Sequence, residues 1–185
     1  MRLRLATAAA LGSVALLAWP SHAAPVKITD PKGDSTPGGP ATDITAITLQ
    51  TVFKKKTVNG TTRMIPKAAK VTLTLAGPVD DNTFYSIDFT STGTCKTVAL
   101  VYDNNALPLY KQNRAICNDK TPGTTIAGPV GVPAGSALVW TLPLSVFPVG
   151  TTFSEISATT LPGQVPAFGY DGTDESSLTY TVGQK

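Results

Sequence analysis

Histidine is nearly missing from this chain: one copy, His22, stands among 185 residues. Glutamate occurs only as Glu155 and Glu175. Charged residues make up 15%, and there are two cysteines and two tryptophans. Each shortage removes a class of chemistry. Imidazole is the usual base for a Ser or Cys nucleophile, because its pKa lies near neutrality. A chain that has lost its one histidine cannot build a Ser-His-Asp or Cys-His site, nor a zinc site on imidazole. No Gly-x-Ser-x-Gly elbow, Ser-x-x-Lys, phosphate-binding Gly-rich loop or Cys-x-x-Cys is present. A carboxylate pair for glycoside hydrolysis would have to use Glu155 and Glu175 or aspartates lying among turn residues. The sequence reads as non-enzymatic.

The lone histidine belongs to a segment that reads as an export signal. Arg2 and Arg4 precede an uncharged stretch from Leu5 to Ala18, and Ser21-His22-Ala23 offers a small-x-small cleavage site. The apolar stretch falls short of the ~20 residues that span a bilayer. Residues 1–23 are therefore expected to be removed, leaving 24–185 as a single secreted domain with no membrane attachment. Cleavage takes away two basic residues, so 13 cations face 12 acids. A net charge near +1 gives no reason to expect a nucleic-acid partner.

What remains is rich in threonine, with 28 copies in the chain, and is punctuated by 16 glycines and 15 prolines. Apolar and polar residues alternate at Ile47/Leu49/Thr51/Phe53, Val71/Leu73/Leu75, Tyr85/Ile87/Phe89, Val98/Leu100/Tyr102, Leu138/Trp140/Leu142 and Leu178/Tyr180/Val182. A period of two with one apolar face marks strands of antiparallel sheets around one core. Asn59-Gly60, Gly77-Pro78 and Asp103-Asn104-Asn105 supply turns between them. The predicted class is all-β, an immunoglobulin-like or jelly-roll-type antiparallel β-sandwich of seven to ten strands in a single domain. Residues 118–135, crowded with glycine and proline, read as a long loop or a weak edge strand. Leu144–Phe147, between two prolines, reads as one helical turn. Cys95 and Cys117, an even count in an exported chain, predict one disulfide.

Three groups of residues suggest function. Asp30, Asp34 and Asp43 lie near the start of the domain, and Asp171 and Asp174 near its end. Turn-borne carboxylates supply the oxygen ligands that Ca²⁺ takes, if the two ends of the domain meet; aspartate also fills turns simply by capping backbone N–H groups. Lys54-Lys55-Lys56, Arg63, Lys67 and Lys70 flank the Asn59-Gly60 hairpin, where they protect an edge strand or touch an anionic polymer. Among the aromatics, Trp140 shares an apolar face and reads as core. Tyr110 and Tyr170 lie beside loop signals and are the candidates for stacking on a sugar ring.

Short motifs at both ends carry a family resemblance. These are Asp30-Pro31-Lys32-Gly33-Asp34, Asp43-Ile44-Thr45, Trp140-Thr141-Leu142-Pro143-Leu144-Ser145, Gly150-Thr151-Thr152-Phe153, Ala158-Thr159-Thr160, Asp171 and Tyr180-Thr181-Val182-Gly183. The chain resembles secreted actinobacterial β-sandwich domains related to family 9 carbohydrate-binding modules and DOMON-like domains. The resemblance implies about ten strands, an extracellular location and, in the carbohydrate-binding members, a sugar ligand with structural Ca²⁺. The paired tryptophans that sandwich a sugar in family 9 modules have no counterpart here. The expected function is a non-enzymatic secreted module that binds an extracellular ligand, polysaccharide or cell-wall glycan first. The other reading is a structural or protein-interaction domain at the cell surface with no glycan site.

Overall fold

The structure is a computed structural model that describes residues 24–35, 38–103, 112–162, 171–173 and 176–183. The export segment, Tyr110, Tyr170, Asp174 and Glu175 lie outside the described residues. Among the described residues twelve strands run in chain order: β1 (Val26–Thr29), β2 (Ile44–Val58), β3 (Thr61–Leu75), β4 (Thr83–Ser91), β5 (Thr97–Asp103), β6 (Gln112–Cys117), β7 (Thr124–Ile126), β8 (Val132–Ala134), β9 (Ala137–Pro143), β10 (Thr152–Pro162), β11 (Asp171–Gly172) and β12 (Tyr180–Thr181). They form two antiparallel sheets packed as one β-sandwich. One sheet has the order β1-β2-β3-β9-β8, the other β11-β10-β4-β5-β6-β7, with β12 also on β10.

The strand count exceeds the sequence expectation because the edges are fragmented. β11, an isolated bridge from Ser176 to Ile156, and β12 together follow one side of β10 as an interrupted strand. Residues 118–135 hold the two short strands β7 and β8, each at the end of a sheet. Pro133 sits within β8, and a residue without an N–H suits an edge. Val146 and Phe147 both donate backbone N–H groups to Pro143 O, giving the single turn expected between the prolines.

Alternation places most of the core where the sequence predicts it; Leu178, spaced to share the inward face of Tyr180 and Val182, is instead exposed, because β12 begins only at Tyr180. Ile47 and Leu49 on β2, Val71 and Leu73 on β3, and Leu138, Trp140 and Leu142 on β9 are fully buried from one sheet. Tyr85, Ile87, Leu100 and Phe153 meet them from the other. Phe89, Phe147, Phe153 and Tyr180 form a chain of ring contacts, with Phe147 edge-on to Phe153 at 5.3 Å. Trp140 is 0% exposed, so it offers no platform to a ligand. Gly131 lies so close to its indole that any side chain there would overlap the ring.

Cys95 and Cys117 are bonded, with Cα atoms 5.6 Å apart, and join the β4–β5 turn to the end of β6. Asp119 reinforces that corner by accepting backbone N–H groups from Lys96 and Thr97 at 2.7–2.9 Å. These contacts hold the Asp119 carboxyl below its usual pKa.

Candidate functional site

β2 enters the sandwich at the end where β3, β5 and β10 leave it, and the acids gather there. Backbone constraints fix the segment before β2. Gly77 donates its N–H to Pro40 O at 2.7 Å, and Ala76 to Asp43 O at 2.8 Å. Tyr85 Oη donates to Ala41 O at 3.0 Å, and Thr160 Oγ1 to Thr42 O at 2.6 Å. Asp43 reaches back and accepts the Gly33 N–H on Oδ2 at 2.9 Å, which closes the loop between Asp30 and Asp34. Gly33 adopts φ +91°, a conformation open to glycine and strained for other residues.

Asp171 comes to this loop from the far end of the chain. It opens β11 opposite Thr160, and its Oδ2 accepts the Ile44 N–H at 2.5 Å. Asp30, Asp34 and Asp171 each offer a carboxylate oxygen within 4.8 Å of the others. Asp171 is 5% exposed, Asp30 half-buried and Asp34 exposed, so the group opens to solvent on the Asp34 side. Asp43 is also 5% exposed, and its Oδ1 has no hydrogen-bond partner among the described residues.

Burial is the largest influence raising the Asp171 pKa, with the charges of Asp34 and Asp43 adding to it and the Ile44 N–H opposing it. Three carboxylate oxygens within 4.8 Å of one another are close enough to share one hard cation such as Ca²⁺. Carbonyl oxygens and water would have to complete its six to eight ligands. The arrangement can hold a hard divalent cation. A second trio, Cys95, Cys117 and Asp119, has its sulfurs in the disulfide and cannot act as a thiolate site.

Of the five acids singled out in the sequence, Asp30, Asp34 and Asp171 meet. Asp43 buttresses them, and Asp174 lies outside the described residues. The segments holding Tyr110 and Tyr170 start and finish at this same end. β5 stops at Asp103 and β6 resumes at Gln112, paired with it. β10 stops at Pro162, opposite Thr83, and β11 resumes at Asp171. Glu155 is exposed at a bulge on β10 with φ +52°. Thr160 and Thr173 were not legible as parts of the site. Thr173 Oγ1 accepts the Ala158 N–H at 2.9 Å and pins the chain just after Asp171. Thr160 stood out in the sequence only within the Ala158-Thr159-Thr160 motif, and nothing in a threonine-rich sequence distinguishes Thr173 from the rest.

No protein family, curated protein or solved structure matches this chain. No helix among the described residues is long and apolar enough to cross a membrane.

Proposed function

We propose that the chain is a non-enzymatic, exported β-sandwich that binds an extracellular polysaccharide or cell-wall glycan at the acidic end of the sandwich. Ca²⁺ held by Asp30, Asp34 and Asp171, with Asp43 behind them, orders that end. The observation that carries this reading is a convergence. Carboxylates from both ends of the domain meet at the start of β11, at the same end of the sandwich where β5 and β10 stop. A cation there would link the loop before β2 to β11 and stiffen that end of the sandwich. Stacking of a tyrosine ring on a pyranose would then supply apolar contact that the buried Trp140 cannot. The disulfide suits an oxidising, extracellular setting.

The test is retention on insoluble polysaccharides, with and without chelator, compared with the Tyr110→Ala/Tyr170→Ala variant. Loss of retention in the variant at an unchanged melting temperature supports the reading. No retention of the wild-type protein on any glycan overturns it.

A protein-interaction role is the second reading, favoured by one feature on the five-stranded sheet. Val130, Val132, Ala134 and Val139 line a shallow apolar groove beside edge strand β8, and Val130 and Val132 are about half exposed.

A further inference from the structure

β2 and β3 are each 15 residues long, and their neighbours are not. β1 covers β2 only as far as Leu49, opposite Val26, and β9 covers β3 only as far as Ala68, opposite Pro143. Beyond those points the two strands continue as a two-stranded ribbon to the Asn59-Gly60 turn, whose residues have φ +49° and +75°. From Phe53 to Val58 the ribbon extends by about 20 Å at ~3.4 Å per residue. Every residue from Lys54 to Arg63 is exposed.

The ribbon's charge is one-sided. Between Asp43 and Asp80 the sequence has six cations, Lys54, Lys55, Lys56, Arg63, Lys67 and Lys70, and no acid. The register puts Lys56 directly opposite Arg63 and Lys54 opposite Ile65. Opposed residues share a face, and Lys54 and Lys56 follow one another on it at ~7 Å. Three cations thus crowd one face of the ribbon. Like charges in directly opposed positions destabilise a strand pair, and a two-stranded ribbon is marginal to begin with. Protecting an edge does not require a matched cation pair across the ribbon. An anion laid along the face turns this repulsion into attraction.

We propose that this ribbon is a second binding site, distinct from the acidic end, and that its ligand is an acidic polysaccharide. Charge complementarity selects a polyanion. Thr61, opposite Val58 on the face that carries Lys56 and Arg63, and Asn59 at the turn place hydroxyl and amide groups beside the cations. Those groups match a hydroxylated chain. The ribbon has no exposed aromatic ring on which nucleotide bases would stack. The choice of a glycan as the polyanion rests on the export reading above.

The test measures binding of the purified protein to heparin and polygalacturonate, beside duplex DNA and phosphatidylserine vesicles. Affinity for at least one acidic glycan is expected to fall about tenfold between ~50 and ~200 mM salt, as the gain from counterion release shrinks and the charges are screened. Lys54→Gln/Lys56→Gln/Arg63→Gln should weaken it about tenfold at low salt with the melting temperature kept. Lys56→Gln alone, the mildest change, should weaken it severalfold. Lys27→Gln/Lys120→Gln, which lowers net charge elsewhere, should leave it unchanged. Tyr110→Ala/Tyr170→Ala should also leave it unchanged, so failure at the acidic end and failure at the ribbon are read separately. No binding to either acidic glycan, full binding by the ribbon variants, or tighter binding to DNA or vesicles would overturn the proposal.

Discussion

The Ile44 backbone N–H donates to the Asp171 carboxylate at 2.5 Å across a sequence separation of 127 residues. This bond ties the first residue of β2 to the first residue of β11, and so one sheet to the other. It also carries Asp171 to Asp30 and Asp34. A structural hydrogen bond and a candidate metal ligand are thus the same carboxyl group.

Ca²⁺ should stabilise the fold. A ligand at about 100 times its Kd adds roughly 2.7 kcal/mol, which for a domain of this size raises the melting temperature by about 5–10 °C. Thermal melts in Ca²⁺ and in chelator provide the measurement. Asp34→Asn, at the exposed ligand, should erase the difference. Equal melts for the wild-type protein would return these aspartates to a turn-forming role.

Asp171 gives a signed pH dependence. Its folded-state pKa lies above the ordinary 3.8, chiefly through burial. Without a cation, the stability linked to its protonated form is therefore complete below 3.8 and lost as pH rises through the raised value. Chelated protein should lose stability over that interval, and Ca²⁺ should restore it by favouring the carboxylate. Asp171→Asn keeps an acceptor for the Ile44 N–H without the charge. In chelator at neutral pH it should melt no lower than wild type, yet show no response to Ca²⁺. A retained Ca²⁺ response would remove Asp171 from the site.

The disulfide closes a loop across a separation of 22 residues. Loop-closure entropy assigns it about 3 kcal/mol. Cys95→Ser/Cys117→Ser should lower the melting temperature by about 6–12 °C and leave the Ca²⁺ shift intact, because the disulfide lies at the other end of the sandwich. A lost Ca²⁺ response would show that the two ends are coupled.

At the ribbon turn, Gly60 has φ +75°, and nothing lies near enough to obstruct a side chain. Gly60→Ala should therefore cost about 1 kcal/mol through backbone strain alone. Amide exchange should quicken in the ribbon and stay unchanged in β4 and β10. Uniform quickening would mean that the ribbon is cooperative with the core.

Much of the sandwich was legible because alternation reports burial directly. Ile47, Leu49, Val71, Leu73, Tyr85 and Trp140 all face inward as their spacing required. The cysteine pairing followed from a count of two. Of the interrupted strand along β10, the Tyr180/Val182 alternation announced β12, but the two-residue β11 shows no period and was not legible. The meeting of Asp30 and Asp34 with Asp171 was legible only as a condition, that the two ends of the domain meet. Sheet order, which local pattern does not encode, satisfies it by placing β11 beside β10. The ribbon was half visible. Its turn and its lysines are in the sequence, but its projection depends on where β1 and β9 stop.

The most direct test of the account is retention of the purified protein on a panel of insoluble polysaccharides in Ca²⁺ and in chelator. Retention is expected on at least one neutral glycan, stronger in Ca²⁺ and lost in Tyr110→Ala/Tyr170→Ala. Absence of retention on every neutral glycan, or retention on neutral glycans indifferent to both tyrosines, would contradict it.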